Sequence, residues 1–214
     1  MRRPNNRLPA DITAVFGSTG TRKTTGYVMP RVDAERGAVV IWDAKNEYQG
    51  VPGVVTVYDR AELVQAVRSC RRLAFHAPPD EFAFWCRVVW ARGDALVIAE
   101  ELAQVTTPGK ACGAWHQILT AGRGFGLRTI GIGQRPAEVD KTIIGQASLL
   151  HVRRLTRAAD RRYMAAELDV APGIVDAMRG DQWIEREIAT GAVRVGAGIR
   201  KPGRAQGREL KVVA

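Results

Sequence analysis

Gly17-Ser18-Thr19-Gly20-Thr21-Arg22-Lys23-Thr24 follows a short apolar run, Ile12 to Phe16, and opens a helical pattern from Lys23 to about Met29, where Pro30 is expected to end it. Strand, Gly-rich turn and helix in that order make a phosphate-binding loop. The turn exposes consecutive backbone N–H groups, and the helix N-terminus adds positive potential. The residues expected around the phosphates are Gly17, Ser18, Thr19, Gly20, Thr21, Arg22, Lys23, Thr24 and Thr25. Among them Lys23 is placed to reach the β- and γ-phosphates and the Thr24 hydroxyl to hold Mg²⁺. Arg22 stands where glycine is usual, so its side chain must either turn away from the phosphates or meet them itself.

Outward from this loop, strand-like and helix-like patterns alternate, the signature of an α/β fold with a mostly parallel central sheet flanked by helices. The strands are expected at 12–16, 38–42, 54–58, 73–76, 95–99, 127–133 and 149–152. Helices are expected at 59–69, from Pro78-Pro79-Asp80 to about Arg92 with Asp80 as its cap, at 114–121, at 158–168 and at 172–178. Segments 183–186 and 192–195 suit a C-terminal β-hairpin. Residues 1–10 read as a polar, basic arm, 11–196 as one domain and 197–214 as a Gly- and Arg-rich flexible tail.

The chain of 214 residues, 46% hydrophobic, is long enough for one sizeable core. Its formal net charge of +10 suits a polyanionic partner such as nucleic acid, although an Arg-rich, high-GC genome accounts for the same charge. Cys70, Cys86 and Cys112 are scattered, which argues against a disulfide framework or a zinc site and for a reducing compartment. Residues 1–10 hold no apolar signal segment, and no apolar run approaches bilayer thickness, so a membrane link is expected only through a partner.

A second landmark, Ala95-Leu96-Val97-Ile98-Ala99-Glu100-Glu101, is an apolar strand that ends in two acids. Such an ending places carboxylates at the strand's C-terminal edge, where ligands bind in open α/β sheets. A phosphate-loop ATPase needs two carboxylate functions there, one for hydrated Mg²⁺ and one for the attacking water. Glu100 is assigned to the metal and Glu101 to the water; since the metal-side residue is usually Asp, an offset of one residue stays open. Taken alone, the pair reads equally as a strand cap. The third landmark runs from Gly122-Arg123-Gly124 through the strand at 127–133 to Gln134-Arg135-Pro136. Gln134, at the carboxyl edge, is suited to donate to a γ-phosphate and sense its loss. Arg123 precedes that strand, on the edge opposite its own nucleotide, and is suited to act as a finger in a neighbouring subunit's site; a solvated loop Arg is the plain alternative.

These three segments resemble the FtsK/HerA superfamily of DNA-pumping ATPases, and so do Glu138-Val139-Asp140-Lys141-Thr142-Ile143-Ile144-Gly145-Gln146 and Trp42-Asp43-Ala44-Lys45-Asn46-Glu47-Tyr48. The resemblance covers about 12–168. It implies a single-domain P-loop NTPase of RecA/ASCE-like fold that binds ATP and Mg²⁺, with Lys23, Thr24, Glu100, Glu101 and Gln134 in the nucleotide roles and Arg123 acting in trans. At this size the chain is similar to the genome-packaging ATPases of membrane-containing icosahedral viruses. That similarity implies a DNA-translocating ATP hydrolase that packages double-stranded DNA into a preformed capsid. It further implies a homo-oligomeric ring gripping DNA backbone without reading sequence, a capsid-vertex or membrane-protein partner, and a location at the virion packaging vertex or in host cytoplasm. The rival reading is a non-motor assembly or secretion factor, similar to zonula-occludens-toxin-type phage proteins, that uses nucleotide as a structural or switching ligand. Arg22 favours it; the intact double acid, Glu100 and Glu101, and Gln134 favour the motor.

Other residues invite less. Trp85 and Trp90, with Phe82, Phe84 and Val89, suit a core or subunit-contact face better than base stacking. His76, His116 and His151 show no metal spacing. Arg153, Arg154, Arg157, Arg161 and Arg162 fit either a DNA-facing surface or a solvated face paired with Asp160 and Glu167. Asp43 serves either the Mg²⁺ shell or the sheet edge, and its spacing does not decide.

Overall fold

The computed structural model describes residues 3–5, 7–109, 111–203 and 206–210. Among them the strands are β1 (Ile12–Phe16), β2 (Ala38–Trp42), β3 (Val55–Val57), β4 (Arg72–Phe75), β5 (Ala95–Ala99), β6 (Leu127–Gly133), β7 (Leu149–Arg153), β8 (Gln182–Glu187), β9 (Val193–Ala197) and β10 (Arg208–Leu210). They form one sheet in the order β10-β9-β8-β7-β1-β6-β5-β2-β4-β3. From β3 to β7 neighbouring strands are parallel. Strands β8, β9 and β10 extend the sheet antiparallel beyond β7. The helices are α1 (a π-helical stretch, Thr24–Val28, running on into α-helical Met29–Ala34), α2 (Arg60–Ala66), α3 (Phe82–Arg92), α4 (Gly113–Ala121), α5 (Lys141–Gly145), α6 (Ala158–Leu168) and α7 (Pro172–Asp176).

Strands β1, β2 and β5 are buried at every residue, so they carry apolar runs instead of alternation, broken only by the buried Thr13 of β1. One face of the sheet packs Phe16, Trp42 and Val97 with Trp85 and Trp115 from α3 and α4. The other face packs Val15, Ile41, Ile98 and Ile132 with Tyr27 and Val32 from α1. Trp42 meets Phe82, Trp85 and Phe75 at ring-centroid distances of 5.2, 6.0 and 5.9 Å. The aromatic face expected on α3 is therefore core.

Two local expectations yield. Pro30 does not end α1. A proline cannot donate to the carbonyl four residues back, which here belongs to Gly26. The helix widens instead into a π-turn, with Met29 N–H donating to Thr24 O. The Gly26 carbonyl accepts from Arg200 N–H, at 2.8 Å, a residue far along the chain. Asp80 makes no cap hydrogen bond; it sits inside a short 3-10 turn, Pro79–Glu81, that feeds α3. Within the segment expected as a flexible tail, β10 pairs with β9 and Arg200 is buried. Residues 204, 205 and 211–214 of that segment lie outside the described residues. So do residues 1, 2 and 6 of the arm, whose Asn5 N–H donates to Gly124 O at 2.7 Å.

Candidate nucleotide site

The loop after β1 turns tightly. Thr21 N–H and Oγ1–H both donate to Ser18 O, at 3.3 and 2.7 Å. A Cβ on Gly17 would stand 2.7 Å from Thr21 Oγ1 and 2.9 Å from Arg153 Cβ, so glycine is required by space. Gly20 has φ 76° and Arg22 has φ 63°, both left-handed. The glycine usual at the second position thus answers a backbone need, which Arg22 meets at a steric cost. The Arg22 side chain is 64% exposed and lies 3.9 Å from the carboxylate of Asp181. Lys23 is buried, its ammonium donating to the carbonyls of Gly17 (2.6 Å) and Ser18 (3.3 Å). Burial lowers its pKa, while the carboxylates of Glu101 and Glu100 pull the other way.

Both acids reach the loop, and the backbone explains how. Successive residues of a strand point to opposite faces. Glu101 breaks that rule by turning left-handed (φ 50°, ψ 51°), so its side chain joins that of Glu100 in one cleft. Glu100 is buried and accepts from the hydroxyls of Thr24 (3.1 Å) and Tyr48 (2.9 Å). Burial pushes its pKa up to about 7 against the lowering effect of those two hydrogen bonds. Glu101 accepts from Gln134 Nε2 at 2.9 and 3.0 Å and from the ammonium of Lys45. Gln134 Oε1 in turn accepts from Thr19 Oγ1 at 2.7 Å. The amide therefore bridges the acid to the phosphate loop.

The cleft, about 260 Å³, is bordered by Thr19, Gly20, Arg22, Lys23, Thr24 and Thr25 on one side and by Glu100, Glu101 and Gln134 on the other. Gly17, Ser18 and Thr21 lie behind it as the loop's frame. Two residues of the turn after β2 complete the border, Lys45 and Glu47. Sequence reasoning quoted them without a role. Asp43 settles its own question: it is fully buried and accepts from the backbone N–H of Glu47 (2.9 Å) and Tyr48 (3.0 Å). It shapes the turn that presents Lys45, Glu47 and Tyr48, with both carboxylate oxygens bonded to that turn and none of it lining the cleft.

Arg123 is not in this cleft. It is exposed in a 3-10 turn before β6, at the opposite edge of the sheet, and the seven residues of β6 separate it from Gln134 by roughly 20 Å. The Arg cluster divides. Arg153 is fully buried and donates to the carbonyls of Thr21, Asp181 and Gly198 and to His151 Nε2. Arg161 is tied to Asp176 and to Thr156 O. Asp160 pairs with Arg135 at 3.1 Å, and Arg157 and Arg162 are exposed. His76 Nδ1 lies 2.7 Å from Asp43 O, His151 is buried, and no metal-ligand cluster occurs among the described residues.

The donor set suits a nucleoside triphosphate with Mg²⁺. A lysine ammonium and a left-handed loop offer phosphate contacts, and a threonine hydroxyl beside a buried, uncompensated carboxylate offers the hard oxygen donors that Mg²⁺ prefers. No protein-family profile matches the chain. It is 31% identical over 180 residues to protein P9 of Pseudoalteromonas phage PM2, an alignment covering 80% of this chain and 81% of P9. The chain belongs to the family of PM2 protein P9. Its fold is that of B204, the genome packaging NTPase of Sulfolobus turreted icosahedral virus 2. The complex of B204 with ATPγS superposes with a TM-score of 0.76 over 90% of this chain and 99% of B204, at 18% identity. The truncated bacterial conjugative coupling protein TrwBΔN70 shares the fold with a TM-score of 0.58 over 93% of this chain and 85% of that truncated chain, at 12% identity. The single-domain P-loop architecture expected from the FtsK/HerA resemblance is therefore the fold of this P9-family chain. No described helix is long and apolar enough to cross a membrane.

Proposed function

We propose that this P9-family chain is the subunit of an ATP-hydrolysing motor that drives double-stranded DNA into a preformed viral capsid. The observation that carries the reading is the convergence of Glu100, Glu101 and Gln134, from the ends of two strands, on the Lys23–Thr24 cradle. A structural nucleotide binder has no use for an acid and an amide arranged in this way. Relation to a phage protein and the fold of a packaging NTPase support the viral role.

In this reading the triphosphate lies along residues 17–25, with Lys23 leaving its loop carbonyls for the β- and γ-phosphates. Glu101 aligns and accepts a proton from the attacking water, and Gln134 registers whether the γ-phosphate is present. Mg²⁺, held by Thr24 and Glu100, would neutralise charge on the β- and γ-phosphates. Arg123 of an adjacent subunit completes the site, so turnover depends on ring assembly. The net charge of +10 serves contacts to DNA phosphates that carry no sequence information. A capsid-vertex or membrane protein anchors the ring at the packaging vertex, after synthesis in host cytoplasm. The rival, non-motor reading drew on Arg22, but that residue adopts the left-handed backbone of the glycine it replaces and its side chain is mostly exposed.

The test is ATPase rate with and without double-stranded DNA across protein concentrations. A rate that rises with concentration and with DNA is expected. A rate that is absent, or indifferent to both, contradicts the motor.

A further inference from the structure

Three carboxylates, those of Glu47, Glu100 and Glu101, border the nucleotide cleft against three cations, Lys23, Lys45 and the largely exposed Arg22, whose guanidinium lies toward Asp181. A triphosphate brought into such a cleft needs every cation available. Lys23 is accounted for by the phosphate loop; Lys45 is not. Its position is built. Asp43 clamps the turn through the N–H groups of Glu47 and Tyr48, and Asn46 is left-handed at φ 58°. The backbone of Lys45 is thereby fixed at the mouth of the cleft, across from the loop, and its charge is among those acting on the Lys23 ammonium. Its side chain pairs with Glu101.

The two partners of that pair are unequal. Glu101 is 12% exposed, set by a left-handed backbone and held by two bonds from Gln134. Lys45 is 40% exposed on a flexible four-carbon stem. If the pair exchanges partners, the lysine moves and the acid stays. We propose that Lys45 is a second phosphate-binding cation: it transfers from Glu101 to the terminal phosphate of a nucleoside triphosphate, and in doing so releases Glu101 to orient water. A carboxylate whose lone pairs are taken by an ammonium and an amide is a poor proton acceptor. A γ-phosphate that draws the ammonium away removes the cation from Oε1, which then keeps only its bond from Gln134, and does so only when there is something to hydrolyse. A diphosphate lacks the group that competes for Lys45, and the latch stays closed. This inference rests on the ATPase reading of the same cleft.

The test measures binding and needs no turnover. Mg²⁺ complexes of a non-hydrolysable ATP analogue and of ADP are titrated calorimetrically into the full chain and its variants. Lys45→Ala is expected to lose about tenfold in affinity for the analogue, the equivalent of one partly exposed phosphate contact, while ADP affinity holds. Lys45→Arg is expected to restore the preference for triphosphate. Glu101→Gln frees the lysine in advance and is expected to tighten analogue binding severalfold. Equal losses for both nucleotides in Lys45→Ala, or no loss for either, overturn the proposal, as does unchanged analogue affinity in Glu101→Gln. Wild-type protein that binds ADP and the analogue equally overturns the Lys45 role and leaves the nucleotide site standing. Wild-type protein that binds neither overturns both. Lys45 is a surface residue, so an unaltered thermal midpoint in Lys45→Ala separates this role from a structural one.

Discussion

Arg22 and Glu101 face each other's consequences across the cleft, since both are non-glycine residues in the left-handed region. At Glu101 that conformation turns an acid into the site, and strain kept where chemistry is done is a common arrangement. At Arg22 no contact of comparable weight offsets it: its one ion pair spans 3.9 Å between largely exposed groups, an interaction of about 0–1 kcal/mol. Arg22→Gly is therefore expected to raise stability by up to about 1 kcal/mol in denaturant unfolding. A clear loss of stability instead means that the guanidinium holds the loop. His151 makes a second residue-scale case. Its Nδ1 lies 3.0 Å from Glu185 and its Nε2 accepts from Arg153 at 3.2 Å, a pattern that fits only a neutral ring with the proton on Nδ1. Burial pushes its pKa down to about 4. The unfolded chain takes up that proton near pH 6.5, so the contribution of His151 to stability is complete above that pH and drains away as pH falls toward 4. Glu185 acts in the same sense, because His151 and Arg200 outweigh burial and hold its carboxyl low. Glu100, whose pKa is raised, acts oppositely in an overlapping window. The clean readout is the imidazole NMR resonance of His151, expected to stay at its neutral position down to about pH 5. Titration near pH 6.5 contradicts this account.

At the scale of elements, the phosphate loop is fastened from behind. Arg153, on β7, joins the carbonyl of Thr21 in the loop to those of Asp181 before β8 and Gly198 after β9. Gly26 makes room for it, since a Cβ there would meet Arg153 Nη2 at 2.8 Å. Arg153→Met keeps bulk but strips two buried acceptors, Thr21 O and His151 Nε2, of the guanidinium, and is expected to cost about 2–5 kcal/mol, read as a lowered unfolding midpoint. A loss below about 1 kcal/mol would mean that water replaces the guanidinium. This fastening also marks where sequence reading stops. Strands β1, β2 and β5 were legible to the residue because strands buried on both faces read as near-continuous apolar runs, and β6 because its apolar residues sit between glycine turns. The loop and the double acid were legible because their chemistry is local in sequence. Pro30 misled because its helix-ending rule assumes an orphaned carbonyl, and Arg200 removes that assumption from outside the helix. Arg153 read as surface because arginine is seldom buried; only the fold supplies its four acceptors. Lys45 went unassigned because two left-handed turns, at Asn46 and Glu101, carry it to the acid; Asn favours such a turn, but nothing in the sequence marks one at Glu101.

For the whole molecule, the sheet sets a separation that one chain cannot close. Gln134 ends β6 at the cleft while Arg123 precedes β6 at the far edge, where the N-terminal arm holds its turn through Asn5 and Gly124. If Arg123 completes a site at all, the site belongs to a neighbour, and contact between two different faces of identical subunits propagates head to tail and closes into a ring when the rotation from one subunit to the next allows it. This gives the assembly a mixing test. Lys23→Ala keeps Arg123 and lacks the phosphate cation; Arg123→Ala keeps the loop and lacks the finger. Each alone is expected to hydrolyse ATP at background rate. In an equal, randomly ordered mixture, roughly one interface in four sets an intact loop against an intact Arg123, so activity is expected to recover to about a quarter of the wild-type rate. A finger acting within its own chain predicts no recovery, because no subunit of the mixture then carries both groups. Full activity in Arg123→Ala alone removes the finger altogether and leaves Arg123 as a solvated arginine on a basic chain.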